Sequence, residues 1–240
     1  MAERRPYAVL DQPSRLLKAE KIARIVGGRQ TLVGARLLDI GCGSGHIAAA
    51  LAEMVGPDGT VDAVDVRDQR VVRDGYTFHQ VDGTTLPLPD QSLDIVLSNH
   101  VIEHVGNEAD QLRHLREVRR VLRPGGRCYL AVPSKWVLVE PHVRIPLLSW
   151  LPRPMQSPIV RLAGKGEFYD CDIPTRRRLR RLFAAAGLES TDKTLATLFE
   201  VGQLEKPSQA VSLALKAPNW LLRALLPASP TFVYLLRRPL

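Results

Sequence analysis

LLDIGCGSGHIA, residues 37–48, sets a short apolar run against glycines at 41, 43 and 45 and then passes into a helical rhythm. The run through Ile40 suits a buried strand. HIAAALAEMV at 46–55 puts Ile47, Leu51, Met54 and Val55 on one helical face, so the glycines fall where strand hands over to helix. Gly41 permits a sharp turn, Gly43 lets backbone approach a ligand without a Cβ, and Gly45 permits close packing as the helix begins.

Working outward, TVDAVDV (60–66), Tyr76 to Gln80, SLDIVLSNHV (92–101) and GRCYLAVP (126–133) predict further strands. Residues 14–26 and 108–122 predict helices; the second carries Leu112, Leu115, Val118, Val121 and Leu122 as its buried stripe, with PGG at 124–126 stopping it. Strands alternating with helices at this spacing call for parallel pairing through right-handed crossovers, with helices on both faces. The expectation is one doubly wound α/β domain over 1–240. After Pro133 the punctuation thickens with proline, glycine and aromatics, and 134–175 reads as an inserted lid of short helices beside the carboxyl ends of the sheet, where ligands bind. TRRRLRRLFAAAGL (175–188) predicts a helix. A strand around 190–199, a partly helical stretch and a last strand TFVYLLRR follow, the two strands supplying an antiparallel edge.

With 45% hydrophobic and 24% charged residues, the 240-residue chain has the composition of a globular domain. Cys42, Cys128 and Cys171 are too few and scattered for a disulfide framework, and none forms a metal-binding pair, so no metal is expected and a reducing, cytoplasmic setting is. The N-terminal stretch lacks the apolar middle of a signal peptide, and no apolar run reaches spanning length. The net charge of +8, from 33 basic against 25 acidic side chains, suits nucleic acid, a phosphorylated substrate, an anionic membrane surface or simply a solvated arginine face.

The glycine pattern alone fits a dinucleotide, another nucleotide or nothing. Three acids narrow it. Asp39 precedes the glycines and can orient the loop or accept from an ammonium group. Asp65, at the end of the second strand, can take both hydroxyls of a ribose; Asp62 competes, but lies on the opposite face of the strand. Asp82, just past the third strand, can accept from an adenine amino group with Gly83 beside the ring, or Asp82-Gly83 is merely a turn.

DIGCGSG, the acid of VDAVDV, VDGTTLPLPDQSLDIVLSNHVIEHV and VLRPGGRCYLAVP together resemble the class I S-adenosylmethionine-dependent methyltransferases, especially the ubiquinone and menaquinone methyltransferase branch, over about residues 35–133. The resemblance implies a seven-stranded, mostly parallel sheet with an antiparallel terminal edge and S-adenosylmethionine across the strand ends. It places Gly41, Cys42, Gly43 and Gly45 around the methionine and ribose, Asp65 on the ribose, Asp82 and Gly83 at the adenine, and Asn99 and His100 near the sulfonium.

Methyl transfer requires alignment of an acceptor lone pair and exclusion of water; no metal is chemically required, and an oxygen acceptor of high pKa benefits from a base. His100, His104 and His142 are the candidate catalytic groups, with Glu103, Asp170 and Asp172 behind them and Tyr169 as a wall for the acceptor. His104 can instead be structural, and His142 can pin the lid with Glu140. The aromatic, proline-bounded lid suits a small acceptor, and oxygen methylation of a sugar or polyketide is the leading expectation. The alternatives are an RNA methyltransferase using Arg176, Arg177, Arg178, Arg180 and Arg181, and a noncatalytic cofactor-binding module. The C-terminal stretch NWLLRALLPASPTFVYLLRR allows peripheral membrane contact, against a core helix followed by an edge strand.

Overall fold

The computed structural model describes residues 12–140, 142–204 and 217–240. The readings of the extreme N-terminus and of residues 205–216 lie outside the described residues. Seven strands form one sheet in the order β3-β2-β1-β4-β5-β7-β6. They are β1 (Arg36–Ile40), β2 (Thr60–Asp65), β3 (Thr77–Gln80), β4 (Leu93–Asn99), β5 (Leu122–Pro133), β6 (Glu189–Asp192) and β7 (Thr231–Arg237). β1 to β5 pair parallel, whereas β7 runs antiparallel to both β5 and β6.

Strand alternation sends successive side chains to opposite faces, and each face has its own helices. On one side Leu37, Ala63, Ile95, Leu97 and Tyr129 pack with α1 (Gln12–Val26), α2 (Arg29–Leu32) and α3 (His46–Val55). On the other, Leu38, Val64, Val96, Cys128 and Leu130 pack with α4 (Glu108–Val121) and α6 (Arg176–Ala185). Each fully buried Leu, Ile or Val in these layers is worth roughly 1.5–3 kcal/mol of transfer free energy. α4 starts where Asn107 accepts from the N–H groups of Ala109 and Asp110 while Asp110 accepts from Asn107 N–H, a reciprocal cap. Met54 and Leu112, expected on buried faces, are only partly buried at the margins of these cores.

Two boundaries differ from the sequence reading. PGG does not separate helix from strand: α4 ends at Val121, β5 begins at Leu122, and pairing jumps from Leu93↔Leu122 to Ile95↔Arg127. Pro124, with no N–H to donate, and Gly125, at φ 78°, are absorbed as a bulge in the strand. The strand near 190 stops at Asp192, whose carboxylate accepts from Thr194 N–H at 2.9 Å, and 194–204 is helix α7 (Thr194–Leu204). β6 and β7 form the expected antiparallel edge, with β7 between β5 and β6, burying Phe232, Val233, Tyr234 and Leu236. This places TFVYLLRR in the sheet rather than on a membrane, while the short helix at Asn219–Leu225 carries an exposed Trp220. No helix among the described residues is long and apolar enough to cross a membrane.

Residues 134–175 contain a 3-10 turn (Leu148–Trp150), helix α5 (Arg153–Leu162) and a small apolar cluster of their own: Val143, Leu148, Val160, Tyr169, Cys171 and Ile173. Asp172 N–H donates to Glu103 O at 2.7 Å, and the Asp172 carboxylate takes both Arg178 Nη atoms at 3.1 and 2.9 Å, so this insertion is tied to the loop after β4 and to α6.

Candidate functional site

At the carboxyl ends of β1, β2 and β4 lies a cavity of about 660 Å³, where an open α/β sheet reverses its strand order. Gly41, Cys42 and Gly43 form one wall. Gly41 has φ 71°, and a Cβ there would stand 2.6 Å from Val101 Cγ2, so only glycine lets the chain turn under the loop after β4. Asp65 holds this corner from β2: Oδ2 accepts from Gly43 N–H at 2.9 Å and Oδ1 from Arg67 N–H at 3.2 Å, which fixes the carboxylate on the cavity wall.

Asp39 also lines the cavity and is 3% exposed, with Oδ2 accepting no hydrogen bond. Burial, reinforced by the charge of Asp65, pushes its pKa up to about 7 against the pull of Arg15 and Lys18. Asn99 Oδ1, on the same wall, is likewise buried without a donor. Two acceptors left short of partners at one cavity call for a ligand that brings donors or positive charge. The ammonium and hydroxyl groups of S-adenosylmethionine meet that description.

His100 follows β4 with φ 57°, a conformation uncommon outside glycine, and its N–H donates to Ala131 O at 2.9 Å. The ring lines the cavity, and Nδ1 rests 3.4 Å from Glu103, which is fully buried. Burial holds the imidazole below its ordinary pKa despite that carboxylate, leaving it neutral and able to accept a proton near pH 7. His104 and His142, both lining the cavity, meet through Nε2 atoms 3.2 Å apart, their rings edge to face with centroids 4.8 Å apart. His142 Nδ1 lies 2.6 Å from Glu140 Oε1, and Glu140 also accepts from the N–H groups of His142 and Val143 and from the Tyr169 hydroxyl. Burial disfavours the charged form of His142, but Glu140 outweighs it and raises the pKa; burial lowers that of His104.

Several expected residues stand elsewhere. Gly45 does not line the cavity; a Cβ there would run into Tyr76 Oη and Val72 O, so its part is close packing at the start of α3. Asp82 is exposed and off the cavity wall, while Val81 and Gly83 on either side are on it. Asp62 pairs with His79 at 2.7 Å, away from Asp65. Tyr169 is buried against Glu140 and Asp172 is held by Arg178 and Arg153, so neither presents itself to an acceptor, whereas Asp170 does line the cavity. None of the five α6 arginines lines it; Arg178 pairs with Asp172, Arg176 with Asp192 and Arg181 with Glu108. Sequence reasoning missed Arg15 and Lys18, on the cavity wall from α1, and His114, whose Nε2 lies 3.0 Å from Ser98 Oγ and whose burial pushes its pKa down to about 4. The spacing of α1 marked only its apolar side, and nothing local pointed its first turns at the strand ends.

Residues 38–130 match the family described as a methyltransferase domain. Over 126 residues the chain is 34% identical to 27-O-demethylrifamycin SV methyltransferase of Amycolatopsis mediterranei, covering 46% of this chain and 44% of that protein. Over 184 residues it is 28% identical to ubiquinone biosynthesis O-methyltransferase of Rhizobium etli, covering 73% and 68%. The chain spans between 31% and 44% of the length of several curated relatives it matches. Among solved structures it shares the fold of an S-adenosylmethionine-dependent methyltransferase from Mesorhizobium loti, with TM-score 0.60 at 19% identity over 92% of this chain and all of that one. Strand order, the glycine turn pinned by an acid from β2 and the matched stretch agree: residues 38–130 match a methyltransferase domain, are similar to ubiquinone/menaquinone methyltransferases, and sit in a fold shared with S-adenosylmethionine-dependent methyltransferases.

Proposed function

We propose that the chain transfers a methyl group from S-adenosylmethionine to an oxygen of a small organic acceptor, a sugar or polyketide being the leading class. The observation that carries this is the buried Asp39 carboxylate on the cavity wall, with Oδ2 accepting no hydrogen bond. It suits an ammonium ligand at the glycine turn. Asp65, already oriented by Gly43 N–H, offers its remaining lone pairs to ribose hydroxyls, and Val81 and Gly83 wall the adenine. Arg15 and Lys18 supply positive charge for a carboxylate.

S-adenosylmethionine, when bound, supplies a methyl on a positively charged sulfur. What the chain adds is position and a proton acceptor. His100, neutral and backed by Glu103, stands on the cavity wall as the base for an acceptor hydroxyl. The lid supplies His142, Arg144 and Asp170 to the same cavity, so the acceptor side is built from this chain's own insertion. A cavity of this size lies in the range of small-molecule sites, roughly 300–1,000 Å³. The arginines of α6 lie off the cavity, and Arg176, Arg178 and Arg181 among them are held in ion pairs, which gives an RNA acceptor little to follow into it.

The test is incubation of the purified chain with methyl-labelled S-adenosylmethionine and, in parallel, a small-molecule extract and total RNA. Label in an extract compound whose new mass and fragmentation place the methyl on oxygen is the expected result. Label confined to RNA, or none transferred to either, overturns the proposal.

A further inference from the structure

Cys171 brings a third donor to the two histidines between the lid and the loop after β4. One nitrogen from each ring together with Cys171 Sγ all fall within 4.8 Å of one another. Around a tetrahedral zinc-like ion, with bonds of about 2.0–2.1 Å to nitrogen and about 2.3 Å to sulfur, donor atoms stand about 3.3 Å apart for two nitrogens and about 3.5 Å for nitrogen and sulfur. The 3.2 Å between the Nε2 atoms matches the first spacing, and closing the longest separation requires movement of about an ångström.

We infer that His104, His142 and Cys171 form a site for one divalent transition-metal ion, with its fourth coordination position facing the cavity. The surroundings fit this beyond the three donors. His142 Nδ1 is engaged by the fully buried Glu140, which leaves Nε2 as the ligating atom; a histidine whose second nitrogen is held by a carboxylate is the usual partner of a bound zinc. Glu140 is itself fixed by two backbone N–H groups and the Tyr169 hydroxyl, so the ring has little freedom to turn away. Imidazole and thiolate together favour a borderline-soft cation over magnesium or calcium. Both histidines line the cavity while Cys171 is 2% exposed, so the open position of a three-ligand site points toward the acceptor side. A cation there would join the lid to the β4 loop and draw an acceptor oxygen toward its anion. Its uptake exchanges the thiol proton, and any proton shared by the two rings, for metal–ligand bonds, releasing those protons to solvent. The three-donor site itself stands independently of the methyl-transfer reading; its action on an acceptor oxygen rests on that reading.

The experiment strips the purified full chain with a chelator and titrates it with Co²⁺ as an optical probe, then with Zn²⁺. The expected result is saturation at one Co²⁺ per chain, with visible bands of a four-coordinate site and a thiolate-to-cobalt charge-transfer band, all erased by Zn²⁺. Cys171→Ser should lose the charge-transfer band, and Glu140→Gln should retain the band but weaken affinity on the order of 10- to 100-fold. Binding of S-adenosylmethionine by Cys171→Ser, measured separately, shows that the variant is folded and keeps the two readings apart. Absence of saturable uptake by the wild-type chain overturns the assignment whatever the variants do, as does a charge-transfer band that persists in a folded Cys171→Ser.

Discussion

Replacing Asp39 with Asn removes a charge from a place where the fold disfavours it. The carboxyl is fully buried, and its pKa stands at about 7 against an ordinary 3.8. Between those values the folded chain retains a proton that the unfolded chain has released, so stability falls as pH rises from about 4 to about 7 and stays low above. A shift of roughly three units corresponds to roughly 4 kcal/mol of stability given up at alkaline pH. The substituted amide carries no charge in either state, but it also lacks a full set of partners, which costs about 1–3 kcal/mol. The ligand-free variant should therefore be more stable than wild type by about 1–3 kcal/mol near pH 8, a gain of very roughly 2–12 °C in Tm for a domain of this size. That advantage should shrink on acidification and vanish or reverse near pH 4. Thermal melts of both proteins across this range measure it. The same substitution should abolish the rise in Tm that S-adenosylmethionine gives wild type, because the ammonium loses its carboxylate. An Asp39→Asn variant equal to or less stable than wild type near pH 8, or a stability difference that does not change with pH, refutes the reasoning.

Three further outcomes follow from the same wall. Asp65→Ala removes both the acceptor for Gly43 N–H and the expected ribose partner, and should weaken S-adenosylmethionine binding on the order of 10- to 100-fold by calorimetry, as loss of hydrogen bonds to a charged group predicts; unchanged affinity counts against the ribose role. His100→Gln should lower kcat by about 10²–10⁴ with little change in cofactor affinity, and the acid limb of the wild-type rate profile should lie below the ordinary imidazole range, as burial dictates; an unaltered profile in the variant removes His100 as the base. Gly41→Ala forces a Cβ to 2.6 Å from Val101 Cγ2 at a positive φ and should cost about 1–3 kcal/mol together with the cofactor-induced rise in Tm; a variant that melts and binds as wild type does would show that the turn has slack.

The parts of the molecule that depend on near neighbours in the chain were readable from it. The β1–glycine–α3 corner, the stripe of α4 and the arginine side of α6 each follow from spacing within a dozen residues, and the structure keeps Gly41, Cys42, Gly43, Asp65, Asn99 and His100 together on one wall. What depends on distant meetings was not. His104 and Cys171 are 67 positions apart and His142 sits in the insertion between them, so no spacing rule could join them. The rotation of α1 that carries Arg15 and Lys18 to the cavity is set by packing of Ala19, Ile22 and Ala23 on the sheet, and the place of β7 inside β6 is set by its all-apolar centre, Phe232 to Tyr234. PGG was misread because proline and glycine end helices and also make bulges; only the partner strand decides which. Asp82 shows the limit of a motif carried over residue by residue: its neighbours reach the cavity and its own side chain faces water.

Equilibrium dialysis of labelled S-adenosylmethionine against the purified chain tests the cavity assignment most directly. One saturable site per chain, lost in the Asp39→Asn/Asp65→Ala double variant, is the predicted result. No saturable binding, or binding that the double variant retains in full, would contradict it.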